Sequence, residues 1–357
     1  MGIQFRRVAP LDVREAVVKL FFRQRAWPYA DEDEYFRYWD WRYSSMSESP
    51  AAVWIATDGA ELIGHVAINF RRFQADDRDV LVGVPANFLV DERYRKMMVG
   101  PFLSRAPKKM VEQGEIDLFL GYSNEAAHAL SSALGFTAIG PMHSYIDVVH
   151  WNRVLRRRSR GAALLAPVAS FASRARKALG RRGRLASVER LVAHDLSAED
   201  LRSLDRSHWK RTDGLAWSVS GAYLTNRFLL CPFRAYRVLG IVDESKGRLE
   251  GVVVTEGSTR LTVMQCDTNE SVLSAVGAVE IAAAKMTAAE VVVVPLLPQT
   301  RLAAEFSKAG FMARSGHNAD VVIRRTFWSA YWLPSHPAAD SFARIASWKL
   351  WYGWSQH

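Results

Sequence analysis

The chain has 357 residues, 49% of them hydrophobic, which is enough for two domains that each bury a core of their own. Its two cysteines, Cys231 and Cys266, exclude a disulfide framework and a thiolate metal cluster, and such sparse use of cysteine is typical of a reducing compartment. The formal net charge of +10 is concentrated between Arg153 and Arg184, where eleven Lys or Arg occur without an acid, so the remainder of the chain is close to neutral.

The N-terminal residues do not resemble a secretory signal. Charges interrupt them throughout, whereas a signal requires an uninterrupted apolar core. The longest uncharged stretch with a helical pattern, residues 161–173, is far shorter than the roughly 20 apolar residues that span a membrane. We therefore expect a cytoplasmic protein, with peripheral contact to a membrane as an open alternative.

The first half of the chain predicts a β-hairpin followed by alternating strands and helices. Residues 53–70 read as two strands joined by a tight turn. A third apolar strand follows at 80–90, then a helix, then a short apolar strand at 116–122 of the kind that is buried on both faces. The next helix ends in a Gly-Phe pair, and Gly135 fits a left-handed helix cap.

The second half repeats this order after the basic segment. Residues 236–255 read as a second hairpin, 260–266 as a third strand and 290–296 as a short buried strand. A second Gly-Phe pair, at Gly310, ends the last helix. Because both halves share one order of elements, duplication explains them better than chance. The predicted divisions are a first domain at 1–150, a basic amphipathic linker at 151–186, a second domain at 187–327 and a tryptophan-rich tail at 328–357.

This order of hairpin, third strand, basic turn, helix, buried strand, helix, Gly-Phe and strand resembles the GNAT acyltransferase superfamily. The whole chain resembles a tandem pair of such domains. The resemblance implies an α/β fold of two GNAT-like domains, each a central mixed, mostly antiparallel sheet flanked by helices. It also implies that acetyl-CoA or another acyl-CoA is the donor substrate, bound where the third and fourth strands part. No histidine or cysteine spacing typical of a metal site occurs, so we expect no metal.

In that family the pyrophosphate of CoA rests on the amides of an Arg/Gln-x-x-Gly-x-Gly/Ala loop that opens a helix. A helix N-terminus attracts anions because its first N–H groups are unpaired and its dipole is positive there. The stretch RKMMVG keeps the basic first residue and the last glycine, and Met98 replaces the middle glycine. The first residues of a helix need no positive φ, so we expect Met98 to permit the backbone turn and only to narrow the space through which a phosphate reaches the backbone amides. The residues predicted to bind the donor are Leu89, Val90, Arg95, Lys96, Met97, Met98, Val99, Gly100 and Asn124.

Structural alternatives exist for this site. The loop could be an ordinary strand-to-helix turn with exposed cations, and Asn124 could simply cap the helix that follows it. The corresponding stretch of the second half, 266–277, has no basic residue and contains Glu270, which would repel a pyrophosphate. We therefore expect that the second domain does not bind the donor in this way.

The position of the usual catalytic acid departs from the family pattern. The family commonly places a tyrosine four residues before the glycine of Gly-Phe, where its hydroxyl protonates the leaving thiolate. Here that position is Ser131, and in the second half it is Phe306. A serine hydroxyl is too weak an acid for this role, so the sequence assigns no catalytic residue.

The expected function is that of an acyl-CoA-dependent N-acyltransferase, first of all an N-acetyltransferase. Its acceptor would be the amine of a sugar or amino-acid-type small molecule, with cell-envelope polysaccharide synthesis as the expected setting. Two alternatives remain open. One is an aminoacyl-tRNA-dependent transferase of the peptidoglycan-bridge type, and the other is a non-catalytic binding protein that keeps the GNAT fold.

Residues 153–184 are predicted to form an amphipathic helix. An apolar stripe with cations beside and opposite it suits an anionic membrane surface. RNA phosphates and docking on a domain core are the alternatives, and nucleic acid is the less favoured partner. The residues of the stripe are Leu164, Val168, Phe171, Ala175 and Leu179.

Overall fold

The structure is a computed structural model of the chain. It describes residues 2–25, 31–45, 51–76, 78–123, 125–172, 190–204, 214–217, 219–269, 273–314, 327–345, 348 and 350. None of the described helices is both long and apolar enough to cross a membrane.

Strands and helices alternate in the order that the sequence predicts. The strands are β1 (Ile3–Val8), β2 (Ala52–Asp58), β3 (Glu61–Ala75), β4 (Arg78–Val90), β5 (Leu118–Ser123), β6 (Thr137–Pro141), β7 (His143–Val148), β8 (Leu191–Asp195), β9 (Leu215–Trp217), β10 (Tyr236–Asp243), β11 (Arg248–Glu256), β12 (Arg260–Thr268), β13 (Val291–Leu296), β14 (Met312–Arg314) and β15 (Phe327–Tyr331). The α-helices are α1 (Arg14–Arg23), α2 (Glu32–Asp40), α3 (Val99–Glu112), α4 (Glu125–Ala133), α5 (Trp151–Arg158), α6 (Arg160–Ala163), α7 (Ala198–Arg202), α8 (Gly221–Leu224), α9 (Ala275–Lys285), α10 (Arg301–Lys308) and α11 (Ala339–Ala343). Residues 166–172 are helical as well. Short 3-10 or π-helical turns occur at Leu11–Val13, Trp41–Ser45, Glu92–Tyr94 and Thr225–Leu229.

The chain forms two compact units, each built on one sheet. The first unit comprises residues 1–140 and 326–343, and the second comprises 141–325 and 344–357. The first sheet has the order β1-β2-β3-β4-β5-β15-β6, and the second has the order β14-β7-β13-β12-β11-β10-β8. In both, one parallel pair, β4 with β5 or β12 with β13, adjoins antiparallel pairs. This confirms the predicted fold class of two mixed sheets flanked by helices.

Each sheet is completed by a strand from the other half of the sequence. In the first unit, β15 pairs with β5, and Ala330 lies opposite Leu120. In the second unit, β7 pairs with both β13 and β14. The boundaries of the compact units therefore differ from the predicted domain boundaries at residues 150 and 327. The predicted boundaries follow the repeat along the chain, whereas β7 joins the sheet of the second unit and β15 joins the sheet of the first. Trp328 is fully buried, so the predicted tail begins as a core strand.

The core of the first unit covers both faces of its sheet. Helices α1 and α2 bury Val17 and Trp39 against one face. Helix α3 buries Val99 and Leu103 against the other. A Cβ on Gly64 of β3 would lie 2.9 Å from the Leu103 side chain and 3.0 Å from that of Val99. Only glycine therefore lets α3 approach the sheet this closely.

The Gly-Phe pairs end their helices in the same way. Gly135 has φ +83° and Gly310 has φ +95°, the left-handed conformation that favours glycine. The N–H of Phe136 donates to the carbonyl at Ser131 at 3.1 Å, and the N–H of Phe311 donates to its counterpart five residues back at 3.0 Å. These bonds close α4 and α10 and confirm the predicted caps.

Candidate functional site

Strands β4 and β5 pair briefly and then part. Their parallel register joins Val82 with Leu118 and Gly83 with Phe119. Beyond these pairs β4 continues to Val90, with its other edge still on β3. Within the described residues, positions 84–90 of β4 thus face a split rather than a paired strand. Such a split exposes backbone N–H and C=O groups that can bind a ligand in the manner of an added strand.

A β-bulge at Asn87 bends β4 at the split. The register with β3 pairs Ala86 with Ala67 but Phe88 with Val66, so Asn87 has no opposite residue. Its φ is +59°, a left-handed conformation that asparagine tolerates better than most residues. The bulge therefore reverses which backbone groups of β4 point toward the split.

Two tyrosines hold this bulge in place. The Tyr38 hydroxyl donates to the side-chain Oδ1 of Asn87 at 3.0 Å, and the side-chain Nδ2 of Asn87 donates to the Tyr43 hydroxyl at 3.0 Å. The Tyr43 hydroxyl in turn donates to the Ala86 carbonyl at 3.1 Å. Burial raises the pKa of Tyr43 well above its ordinary value, so this hydroxyl stays neutral and keeps its proton for the network.

The register also assigns the amides that face the split. The N–H of Asp91 donates to a β3 carbonyl at 2.8 Å. Alternate residues of an antiparallel strand point the same way, so the N–H of Leu89 is also directed toward β3. The N–H groups of Phe88 and Val90 then face the split. The sequence predicts that Leu89 and Val90 both bind the donor. The backbone N–H of Val90 is directed into the split, whereas that of Leu89 is directed toward β3, because the bulge shifts by one residue the alternation of N–H directions along β4.

Helix α3 begins beside the split without a side-chain cap. Its first residue is Val99, and Met98 at the N-cap position makes no capping hydrogen bond. The N–H groups of Val99 and Gly100 have no helical carbonyl four residues earlier to accept from them. Arg95 and Lys96 are exposed in the turn just before them. An uncapped helix start, the positive end of the dipole and two exposed cations are features that favour an anion.

Met98 has a left-handed backbone, with φ 60° and ψ 8°. This conformation costs a non-glycine residue roughly 1–2 kcal/mol. The prediction that this helix start needs no positive φ is therefore wrong, because the left-handed residue falls where the loop of the resembled family has its middle glycine. The Met98 side chain is 56% exposed, and the neighbouring Met97 is exposed as well.

A buried carboxylate fixes the base of this turn. Asp91 accepts hydrogen bonds from the backbone N–H and the Nε of Arg93, at 3.0 and 3.1 Å, and from Arg23 at 2.8 Å. Arg93 also forms an ion pair with Glu61. The hydrogen bonds from Arg93 are the main reason that the pKa of Asp91 falls to about 2. The turn that carries the cations is thus held to the end of β4.

Aromatic side chains are exposed around the helix start. Phe88 on β4 and Phe102 on the first turn of α3 are both exposed. A Cβ on Gly100 would lie 3.8 Å from the Phe88 ring, so this ring borders the anion-binding amides. Phe5 stacks on Phe102 with ring centroids 5.0 Å apart. The surface fits a ligand that combines a phosphate with apolar or aromatic groups.

A tyrosine and an arginine lie on the α2 side of the split. Arg42 belongs to the π-helical turn after α2, and its Nη2 donates to the Tyr122 hydroxyl on β5 at 3.4 Å. The Arg42 side chain is buried, and Tyr122 is half-buried with its ring centroid 5.6 Å from that of Trp328. This pair places an ionisable hydroxyl beside a cation at the end of β5.

Ser131 does not replace the usual catalytic tyrosine. Its hydroxyl donates to the carbonyl at Ala127, in its own helix, at 3.0 Å. The sequence does not predict Tyr122 as the acid, because the resembled family places its acid on the helix that corresponds to α4. The usable signal was local: Tyr122 is a tyrosine at the end of a buried strand that borders the split.

Residues 15–136 match the model of the acetyltransferase (GNAT) family. Residues 15–136, within the first unit, therefore form a GNAT domain. No curated protein sequence matches the chain significantly. A conserved Enterococcus faecalis protein of unknown function has a similar fold, with a TM-score of 0.61 and 9% identity over 92% of this chain and 72% of that chain. A GCN5-related N-acetyltransferase from Kribbella flavida has a TM-score of 0.55 and 14% identity over 97% of this chain and 74% of that chain. Saccharomyces cerevisiae N-myristoyltransferase with bound myristoyl-CoA has a TM-score of 0.51 and 10% identity over 92% of this chain and 82% of that chain. These likenesses cover more than nine-tenths of the chain and show its fold, so both units share the GNAT-like fold.

His65 of the GNAT domain is a poor candidate for a general base. It lies on β3 opposite Leu89 and packs against Phe21 and Trp39, at ring-centroid distances of 5.5 and 5.6 Å. Neither ring nitrogen has a hydrogen-bond partner in the part of the chain that the structure describes. Burial lowers the pKa of His65 to about 3, so the ring is neutral and only weakly basic near pH 7.

Some predictions made from the sequence concern residues that the structure does not describe. These are the roles of Asn124 and Glu270 and the part of the basic segment at 173–184. Among the residues that are described, no cluster of His, Cys, Asp and Glu is suited to a metal ion.

Proposed function

We propose that the GNAT domain of the first unit transfers an acyl group from acetyl-CoA or another acyl-CoA to the amine of a small molecule. One observation carries this proposal: the β4–β5 split opens next to the uncapped start of α3 and its two cations. The family supports an acyltransferase. Among the structures of similar fold, one is an N-acetyltransferase and another holds myristoyl-CoA, which agrees with an acyl-CoA as the donor.

The donor would be held by backbone groups and two cations. The N–H groups of Val99 and Gly100, with Arg95 and Lys96, would bind the pyrophosphate. The N–H of Val90, directed into the split, would pair with the pantetheine arm. Bound acyl-CoA supplies a thioester: the amine forms a C–N bond to its carbonyl carbon, the C–S bond breaks, the amine loses a proton and the thiolate gains one.

Tyr122 is the residue proposed to give that proton to the thiolate. Its hydroxyl is on the α2 side of the split, and Arg42 donates to it at 3.4 Å. The Arg42 guanidinium holds this hydroxyl at the end of β5, which borders the split, so the hydroxyl is placed to donate a proton there. The Asn87 network would act as a positioning device, because it fixes the bulge that directs the Phe88 amide into the split.

The acceptor is proposed to be an amine of a sugar or amino-acid-type molecule, as in envelope polysaccharide synthesis. It would enter on the α2 side, where Arg42 is the buried cation.

Calorimetric titration with acetyl-CoA, followed by a thiol-release assay over amino sugars and amino acids, tests this function. We expect binding of acetyl-CoA or of a longer acyl-CoA, and thiol release with at least one amine. Absence of binding with each acyl-CoA at millimolar concentration would overturn the proposal. Binding without turnover would favour a non-catalytic GNAT-fold protein, and transfer only from aminoacyl-tRNA would favour the peptidoglycan-bridge type of enzyme.

A further inference from the structure

The basic segment between the two repeats carries an apolar helix face that points away from its own unit. The chain is helical at Arg160–Ala163 and again at residues 166–172, and the Ala169 N–H donates to the Leu165 carbonyl at 3.0 Å. Leu164 is 81% exposed, Val168 68% and Phe171 70%. Leu164 lies in the turn that joins the two helical stretches, and the spacing of four and three residues places the three side chains on one side of this segment.

The opposite side of this helix faces the protein. Ala166 is buried, and Ala169 and Ser170 are half-buried. A helix that used its apolar stripe to dock on a domain core would bury Leu164 and Phe171 instead. Of the roles considered from the sequence, plain docking on a core is therefore contradicted for the described part of the stripe.

Cations alone accompany this face along the sequence. Between Arg153 and Arg184 there are eleven Lys or Arg and no acid. In the described part, Arg153, Arg156 and Arg157 are exposed on α5, just before the apolar face. Arg157 forms an ion pair with Glu290 at 3.1 Å, so this end of the segment is anchored to the second unit.

We propose that residues 160–172, together with the exposed cations of α5 that precede them, dock on the surface of an anionic lipid bilayer. Apolar side chains that protrude next to cations without acids match an interface of acyl chains and negative head groups. RNA would use the same charges but would leave Leu164, Val168 and Phe171 exposed to water. This proposal does not depend on the acyl transfer proposed above.

Flotation of the full chain with vesicles tests this docking. We expect the protein to float with vesicles of phosphatidylcholine and phosphatidylglycerol at 3:1, and at least tenfold less with phosphatidylcholine alone or in 0.5 M NaCl. The triple variant Leu164→Ser, Val168→Ser, Phe171→Ser should lose at least tenfold in partition at unchanged charge and thermal stability. The matched control Leu11→Ser, Leu230→Ser, which removes equally exposed apolar side chains elsewhere, should float like the natural sequence.

Three results would overturn the proposal. The first is a natural sequence that does not float with anionic vesicles. The second is a triple variant that floats as well as the natural sequence, since binding would then be purely electrostatic. The third is salt-sensitive binding of a fluorescent RNA 20-mer with no vesicle binding, which would assign the basic segment to nucleic acid.

Discussion

Two helix starts, α3 in the first unit and α9 in the second, follow equivalent strands but differ in chemistry. In each, the residue after the strand donates its N–H to the neighbouring strand at 2.8 Å, from Asp91 in one unit and Asn269 in the other. The start of α9 is then capped by the Ser274 side chain, which accepts from the Gly277 N–H at 3.2 Å. The start of α3 has no such cap, so its amides are left for a ligand.

The splits of the two sheets also differ in the polar groups that lie beside them. Strands β12 and β13 also pair briefly, as far as Thr262 opposite Val293, and β12 then continues with only its other edge paired, on β11. The bulged residue there is Met264, which is fully buried, in place of an asparagine held by two tyrosines. At the end of β13, Leu296 replaces a tyrosine. The comparison shows that a split sheet alone does not make the site. The uncapped helix and the polar groups beside the split distinguish the first unit.

The largest expected effect comes from Tyr122, whose hydroxyl has no counterpart in the second unit. Tyr122→Phe keeps the ring against Trp328 but removes the proton donor. We expect kcat to fall about 100-fold, within the usual range for general acid catalysis, with the affinity for acetyl-CoA unchanged within about twofold. Steady-state kinetics and calorimetry measure the two quantities. Ser131→Ala is the control and should leave kcat unchanged, since that hydroxyl is bonded to its own helix. A Tyr122→Phe variant with full kcat would contradict the assignment.

Asp91→Asn gives the first unit the side chain that Asn269 provides in the second. The folded pKa of Asp91 is about 2, below its ordinary value of 3.8. The carboxylate therefore stabilises the fold above about pH 4 and loses this effect as the pH falls toward 2. We expect Asp91→Asn to lower the free energy of unfolding by about 2 kcal/mol at pH 7 and by little at pH 2.

Urea denaturation at the two pH values measures this difference. Glu15→Gln, which breaks an exposed pair with Lys19, is the control and should change stability at neither pH. If Asp91→Asn lowered the free energy of unfolding equally at pH 7 and pH 2, the shape of the Asp91 side chain, and not its charge, would account for its contribution to stability.

Gly100→Asp tests whether the donor sits on α3. An acid in the first turn does not destabilise a helix, but it would repel a pyrophosphate there. We expect the affinity for CoA to fall at least tenfold in calorimetry. Gly100→Ala should bind CoA within about threefold of the natural sequence, because its Cβ would meet only the Phe88 ring at 3.8 Å.

The matched change in the second unit is Ala275→Asp, at the first position of α9. We expect it to leave CoA binding unchanged. If Ala275→Asp weakened binding and Gly100→Asp did not, the donor site would lie in the second unit, and the distinction between the two helix starts would be reversed.

Local patterns predicted much of this fold, and contacts between distant residues explain what they missed. The glycines of the two helix caps, Gly135 and Gly310, could be read from the sequence because one residue type supplies the needed φ. The left-handed Met98 could not, since methionine rarely takes that conformation. The pairing of Tyr122 with Arg42 depends on how the turn after α2 packs on the sheet, and the strands exchanged between the repeats have no local signature.

The smallest expected effect comes from Met98, the one position where the first unit departs from a simple glycine loop. Met98→Gly removes the cost of the left-handed backbone, about 1 kcal/mol, and little burial is lost because the side chain is 56% exposed. We expect slightly higher stability in urea and about threefold tighter CoA binding, since the approach to the Val99 and Gly100 amides is opened. Met98→Ala shortens the side chain but keeps the unfavourable φ, so it should tighten binding without the gain in stability. If Met98→Gly instead weakened CoA binding, the Met98 side chain would itself contact the donor. The loop would then bind CoA partly through an apolar side chain and not through its backbone amides alone.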